Sequence, residues 1–477
     1  MKTRPIFQNI SPIDHRYSLS EADVFNSLEP FLSESATILA CTKAEIALIK
    51  AHLRISGKSS RDLETSLDNI TVDPEEVYAE EEETQHNIRA LVNVLKRKVP
   101  PDIAPLVHLG ATSVDILDTS FAYRIKGSTH TIVLPLLRKL ELLLCDFTEK
   151  EAETPQIGRT HGQQAVPITL GFAIAEYVSR LGKSILEIEE RVNALKGKLA
   201  GAVGAYNAVS MLTNDPEELE RLYLAELGLE PSEHSTQLVE PEYLLRTLLE
   251  FNTAFGILAN LADDLRNLQR SEIGELKEGF ADVQIGSSTM PQKRNPWNSE
   301  HVKSLWKTFF PRAITFFMDQ ISEHQRDLTN SASQRFIAEY ITGFCMAVSR
   351  MIDVIKSLGI DHDRLCDNLK SGGISGGIMA EPAYILLAKS GVSNAHEVIR
   401  RITLDAEKNG LSFVAALSKN TDALSHITEK LVELKLATRT DALSFFENPE
   451  KYCGLAVKKA KTLARKYRNL MERGKIW

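Results

Sequence analysis

The chain has 477 residues, of which 43% are hydrophobic and 25% charged, and carries a formal net charge of −8. That length exceeds what a single core serves, and the composition is far from that of a disordered chain, so two or three packed domains are expected. The acidic balance excludes a broad attraction for nucleic acid or an anionic membrane and leaves room only for a local basic pocket.

The five cysteines, Cys41, Cys145, Cys345, Cys366 and Cys453, are odd in number, scattered and without paired spacing. Neither a disulfide framework nor a zinc site is suggested, and a reducing cytosol fits best. Residues Met1 to Tyr17 hold no apolar stretch of signal-peptide type, and no uninterrupted apolar run of 18 follows, so a cytoplasmic protein with no membrane partner is expected.

In chain order, Ser11-Pro12-Ile13-Asp14-His15-Arg16-Tyr17 reads on its own as a turn, and His86 within Glu83-Thr84-Gln85-His86-Asn87 reads as a surface helix residue. Prolines at 100, 101 and 105 mark a boundary. Thr112 and Ser113, followed by Asp115, have the composition of a helix cap. In Gly158-Arg159-Thr160-His161-Gly162-Gln163 the histidine alone would read as structural. From Ile168 to Leu195 apolar residues recur at helical spacing through Ile174, Val178, Leu181, Ile185, Ile188 and Val192, with Gly182 the one weak point.

Ser235-Thr236-Gln237 reads as a polar loop, and Phe251, Ala254, Leu258, Leu261, Leu265 and Leu268 form a second helical stripe. Helices of this length exceed roughly 35 Å and must bury their stripes against one another or across subunits. Strand signals are sparse, the best lying at Ala281 to Ile285. The stretch from Gly286 to Pro296 combines small residues, Lys293, Arg294 and Asn295 without periodicity, which suits either an anion-binding loop or a structural turn. Arg326 and Asp327 alone would form a surface salt bridge. Gly372 to Gly377 is a second boundary or a functional loop, and the basic run from Lys458 to Lys475 reads as a solvated helix face. The fold class expected is all-α.

Gly286-Ser287-Ser288-Thr289-Met290-Pro291-Gln292-Lys293-Arg294-Asn295-Pro296 resembles the signature loop of the fumarase and aspartase superfamily, and the segments at His108 to Asp115 and Gly158 to Gln163 resemble its two other shared regions in the same order. The resemblance implies a three-domain fold: residues 1–109 as an N-terminal helical domain, 110–362 as a central long-helix bundle bearing the loop, and 363–477 as a C-terminal helical domain. It also implies a homotetramer whose bundles join in a common core, with each active site drawn from three subunits. Members eliminate fumarate or a close relative, which requires a base beside a carboxylate, donors for the developing charge and an acid for the leaving group. The resemblance makes Ser287 the base and His161 the acid, with Thr112, Ser113, Lys293 and Asn295 binding substrate.

Within the superfamily the chain is most similar to the adenylosuccinate lyases. Gln325 to Arg335 resembles their phosphate-binding segment, in which Arg326, Ser331 and Arg335 would converge on the nucleotide phosphate, as guanidinium forks suit phosphate oxygens. The same resemblance implies substrate contacts from Arg16, Tyr17, His86, Asn87 and Gln237. It implies two nucleotide substrates, adenylosuccinate and the succinylated carboxamide ribotide of purine synthesis, and no cofactor or metal; the alternatives are an argininosuccinate lyase, a 3-carboxymuconate cycloisomerase or a non-catalytic scaffold of the same fold. His15, Asn87, Gln164 and Gln292 depart from the family's usual residues.

Overall fold

The computed structural model describes residues 4–280, 286, 288–374 and 377–473. Its secondary structure is almost wholly helical, as the periodicity predicts. The strand expected at 281–285, and Ser375 and Gly376 of the glycine-rich stretch, lie outside the described residues. Among the described residues the strands form three separate two-stranded pairs, and only Pro155–Thr160 with Gln163–Thr169 is longer than two residues.

Contacts divide the chain into two compact units. The first comprises Met1–Arg138, Lys183–Ala259 and His301–Arg350, and the second Lys139–Gly182, Asn260–Glu300 and Met351–Trp477. Every change of unit falls inside a helix: Leu134–Lys150, Leu170–Asn193, Glu242–Leu268, Trp297–Phe309 or Ile337–Ser357. Both stripes seen in the sequence are therefore single continuous helices, and the 27 residues of Glu242–Leu268 extend about 40 Å.

In the first unit the helix Glu34–Ile55 packs against Ser113–Ser128 and Pro216–Ala225. Its start is set by Ser33, whose hydroxyl accepts the Ala36 N–H at 3.0 Å. Helices Glu242–Leu268 and Ile337–Ser357 are joined by Phe344, which stacks on Phe251 at 5.5 Å and meets Phe255 edge-on at 5.3 Å. A polar pair buried between them is satisfied. The buried Tyr340 hydroxyl bonds Asn252 Oδ1 at 2.9 Å, and Asn252 Nδ2 donates to the Phe310 carbonyl at 3.1 Å.

In the second unit the chain after residue 377 folds around a cluster containing Met379, Leu387, Phe413, Leu417, Ile427 and Phe446. The basic face of Ala456–Arg473 is paired rather than merely solvated: Lys461 meets Glu153 at 2.5 Å, and Arg468 reaches Asp146 at 2.7 Å and Glu149 at 2.8 Å. The same helix explains the weak point in the long stripe. A Cβ on Gly182 would lie 2.3 Å from Cδ1 of Tyr467, a ring only 2% exposed, so glycine permits the helices to close on each other. Gly182→Ala is expected to destabilise the protein by about 1–3 kcal/mol despite alanine's better helix propensity. Chemical denaturation would measure this, and a stabilised variant would contradict the packing account.

Candidate functional site

Segments with chemistry occur in both units. In the first, Thr112 caps helix Ser113–Ser128 in a capping box whose return bond runs from the Thr112 N–H to Asp115 Oδ2 at 2.8 Å. Asp115 is fully buried, ion-paired with the equally buried Lys198, and accepts the N–H groups of Ala200 at 3.2 Å and Gly201 at 3.2 Å. Thr112 and Ser113 are thus presented by a helix start that is fixed from behind. His86 caps helix Asn87–Lys98 by accepting the Arg89 N–H at 3.3 Å, and its Nε2 lies 3.4 Å from the Ser113 hydroxyl. His86, Asn87, Thr112 and Ser113 therefore share one locality.

Beside them lies a cavity of about 660 Å³ lined by Asn87, Ser331 and Arg335 together with Tyr78, Asp118 and Arg124. Gln237 is half-buried and is placed by its backbone, whose N–H donates to the Gln325 carbonyl at 3.2 Å. Arg326 points elsewhere than Ser331 and Arg335: its guanidinium donates to the carbonyls of Gln320 at 3.2 Å and Asp319 at 2.5 Å, and it lines a smaller adjoining cavity of about 80 Å³. The surface salt bridge expected from the residues alone does not form. Asp327 instead accepts the N–H groups of Thr329 at 2.9 Å and Glu323 at 3.2 Å. Arg326 has φ +90°, a strained conformation for a side-chain-bearing residue, held by the carbonyls it binds.

Near the amino-terminus the expected turn is a π-helical segment, Ile13–Tyr17. Arg16 is exposed, and the Tyr17 hydroxyl bonds His301 Nε2 at 2.9 Å. Burial, aided by Arg350 and Arg16, lowers the proton affinity of His301.

In the second unit His161 is exposed at the tip of a hairpin. His161 and Gly162 form its two-residue turn with φ +55° and +72°, the left-handed pair that suits the strand twist. Lys293 is exposed, and Asn295 holds the signature loop closed by donating from Nδ2 to the Gly286 carbonyl at 2.9 Å. Ser287 lies outside the described residues.

Sequence reasoning passed over two side chains that this geometry brings forward. His301 shows only as one histidine on an amphipathic helix, with nothing local to link it to Tyr17. Asp118 lies one turn after Asp115, lines both cavities, and accepts the Val239 N–H at 3.0 Å, which fixes the loop carrying Gln237. Burial pushes its carboxyl up to about 6.

Among the described residues no helix is long and apolar enough to cross a membrane, and no group of three or more His, Cys, Asp or Glu could hold a metal ion. The chain matches the Lyase family over residues 31–307 and the adenylosuccinate lyase C-terminal family over residues 322–440. The adenylosuccinate lyase of Pyrococcus abyssi is 32% identical over 432 residues, covering 89% of this chain and 93% of that protein. That of Methanocaldococcus jannaschii is 31% identical over 94% of each chain. A crystal structure of fumarate lyase from Mesorhizobium sp. BNC1 superposes with a TM-score of 0.77 at 21% identity, covering 92% of this chain and 97% of that one. The 3-carboxy-cis,cis-muconate lactonizing enzyme of Pseudomonas putida gives 0.76 at 21%, covering 93% and 97%. Those two likenesses establish the fold, and with the Lyase match they define the class, an enzyme of the fumarase and aspartase superfamily. Within that class, the chain belongs to the adenylosuccinate lyase family.

The raised Asp118 carboxyl has a consequence for stability. The folded chain holds this proton more tightly than the unfolded chain, so the contribution of Asp118 falls as pH rises from 3.8 towards about 6. Asp118→Asn keeps an acceptor for the Val239 N–H and cannot titrate. Its stability should therefore decline less between pH 4 and pH 6 than that of the native chain, as urea denaturation would register. Equal slopes would place the Asp118 titration elsewhere.

Proposed function

We propose that the chain is a cytoplasmic, homotetrameric adenylosuccinate lyase that eliminates fumarate from adenylosuccinate to leave AMP, and from the succinylated carboxamide ribotide (SAICAR) to leave AICAR. The observation that carries the reading is family membership over most of the chain, which holds for both the catalytic and the C-terminal family matches. The cavity lined by Asn87, Ser331 and Arg335 supports it, since a hydroxyl and a guanidinium there suit a phosphate.

In this reading Ser287 removes the proton beside a succinyl carboxylate. The C–H electron pair moves into the carboxylate, giving a dianion-like intermediate that Thr112, Ser113 and Asn295 stabilise by donating hydrogen bonds. As the C–N bond breaks, His161 protonates the departing nitrogen and fumarate forms. A serine hydroxyl is too weak a base unaided, so Lys293 and backbone N–H groups of the loop would lower its proton affinity. Ser331 and Arg335 hold the phosphate, joined by Arg326 once its guanidinium leaves the Asp319 and Gln320 carbonyls, and Arg16, Tyr17, His86, Asn87 and Gln237 orient the rest. No cofactor or metal enters the scheme. Residues 1–109, 110–362 and 363–477 serve as the three domains, with each site assembled from three subunits.

The deciding experiment follows fumarate release from adenylosuccinate and from argininosuccinate, and opening of the lactone ring of 3-carboxymuconolactone, each substrate supplied separately. Turnover of adenylosuccinate alone is expected; turnover of another substrate alone would overturn the phosphate-site reading, and no turnover would mark a non-catalytic relative. Ser287→Ala and His161→Gln should each lower kcat by about 10²–10⁴. Arg335→Ala should act chiefly on KM, and an unchanged KM would remove Arg335 from the phosphate site.

A further inference from the structure

His161 stands on a turn whose side chain is exposed, so packing does not set where its ring lies; the frame of the hairpin must. That frame is interrupted. The register shifts between Ile157 and Arg159, where Gly158 sits so close that a Cβ would lie 2.7 Å from the Val166 carbonyl oxygen. Beyond this bulge only Arg159 with Gln164 and Thr160 with Gln163 remain paired before the turn.

Arg159 supplies what the interrupted ladder lacks. Its guanidinium grips Glu275 with both arms, Nη2 to Oε1 at 2.5 Å and Nη1 to Oε2 at 3.2 Å. Glu275 is 0% exposed, and its carboxylate also accepts Gln156 Nε2 at 2.8 Å and Asn368 Nδ2 at 2.9 Å. The Glu275 backbone is held as firmly, its N–H donating to the Leu268 carbonyl at 3.0 Å and its carbonyl accepting the Asp361 N–H at 3.0 Å. A continuous polar linkage thus runs from the end of the longest helix, through Glu275 and Arg159, to the residue two positions before His161.

We infer that Arg159 and Glu275 are positioning residues that together set the place of the His161 imidazole, an inference that rests on the acid role proposed for His161. Neither touches the reaction. A forked guanidinium on a saturated carboxylate fixes direction as well as distance, which a lysine's single ammonium does not. Loss of the second arm lets the hairpin tip pivot about its bulge, and a displacement of about 1 Å at a reacting group costs on the order of 10²-fold in rate.

The test is a cycle on the full-length enzyme with adenylosuccinate as substrate. Arg159→Lys keeps the buried charge and loses the fork. It should lower kcat by about 10- to 100-fold with KM within about twofold, because the phosphate and carboxylate contacts are untouched. In a His161→Ala background the same change should cost nothing further, since the group it places is gone. Glu275→Gln, which keeps an acceptor for Gln156 or Asn368 and weakens the grip on Arg159, gives the same cycle from the other side and serves if Arg159→Lys folds poorly. Equal kcat losses in the two backgrounds would overturn the inference, as would a normal kcat in both Arg159→Lys and Glu275→Gln. Native turnover in His161→Ala itself would instead sink the acid assignment, and this inference with it.

Discussion

An exposed loop cannot be fastened by hydrophobic packing, and in this protein the three segments that resemble the superfamily's shared regions are each fastened by a carboxylate behind them. Asp115 stands behind Thr112 and Ser113, taking the Thr112 N–H, the Lys198 ammonium and the N–H groups of Ala200 and Gly201. Glu275 stands behind the hairpin that ends in His161. Glu278 does the same for the signature loop: it caps helix Trp297–Phe309, accepting the N–H groups of Ser299 at 2.8 Å and Asn298 at 3.2 Å, while Gln269 ties Glu278 and the Arg294 carbonyl together. All three segments shared with the superfamily are anchored this way.

The choice of a carboxylate follows from arithmetic on hydrogen bonds. Two oxygens offer about four acceptor positions, enough to gather several N–H groups from separate chain segments, and the charge strengthens each bond. Burying that charge is costly unless every lone pair is used, and at Asp115 and Glu275 the donors are sufficient. Glu141 shows the contrast. It is equally buried, but neither of its oxygens has a hydrogen-bond partner among the described residues, and burial raises its proton affinity far above that of an ordinary carboxyl. The anchors therefore differ from Glu141 by their donors rather than by their depth.

Much of the helical scaffold was legible because a period of 3.6 residues leaves its mark over any long buried stripe, and Leu170–Asn193 and Glu242–Leu268 both show it. Thr112 as a cap was legible for a similar reason, since capping boxes are local. The hairpin Pro155–Thr169 was not: it holds no strict alternation, and what defines it is a left-handed turn at His161-Gly162 and a bulge at Gly158. Pairings across hundreds of residues, such as Tyr17 with His301, leave no local trace. Arg326 misled for another reason: its neighbour Asp327 suggested an ion pair, yet backbone carbonyls and N–H groups satisfied each of them separately.

The departures from the family pattern acquire meaning against these anchors. Asn87, Gln164 and Gln292 are exposed, and the Asn87 side chain accepts only its neighbour's Ile88 N–H at 2.7 Å. Gln164 lies against the helix His362–Ile374, where a Cβ on Gly372 would be 2.6 Å from its Oε1, so that glycine leaves room for the Gln164 amide. None of the three supplies a bond to Asp115, Glu275 or Glu278. Substitution at such positions alters the lining of a cavity or the face of a loop while leaving the loop's placement intact. A scaffold built so can vary the side chains that line its cavities without moving the loops themselves, and the same fold recurs at 21% identity in a muconate lactonizing enzyme.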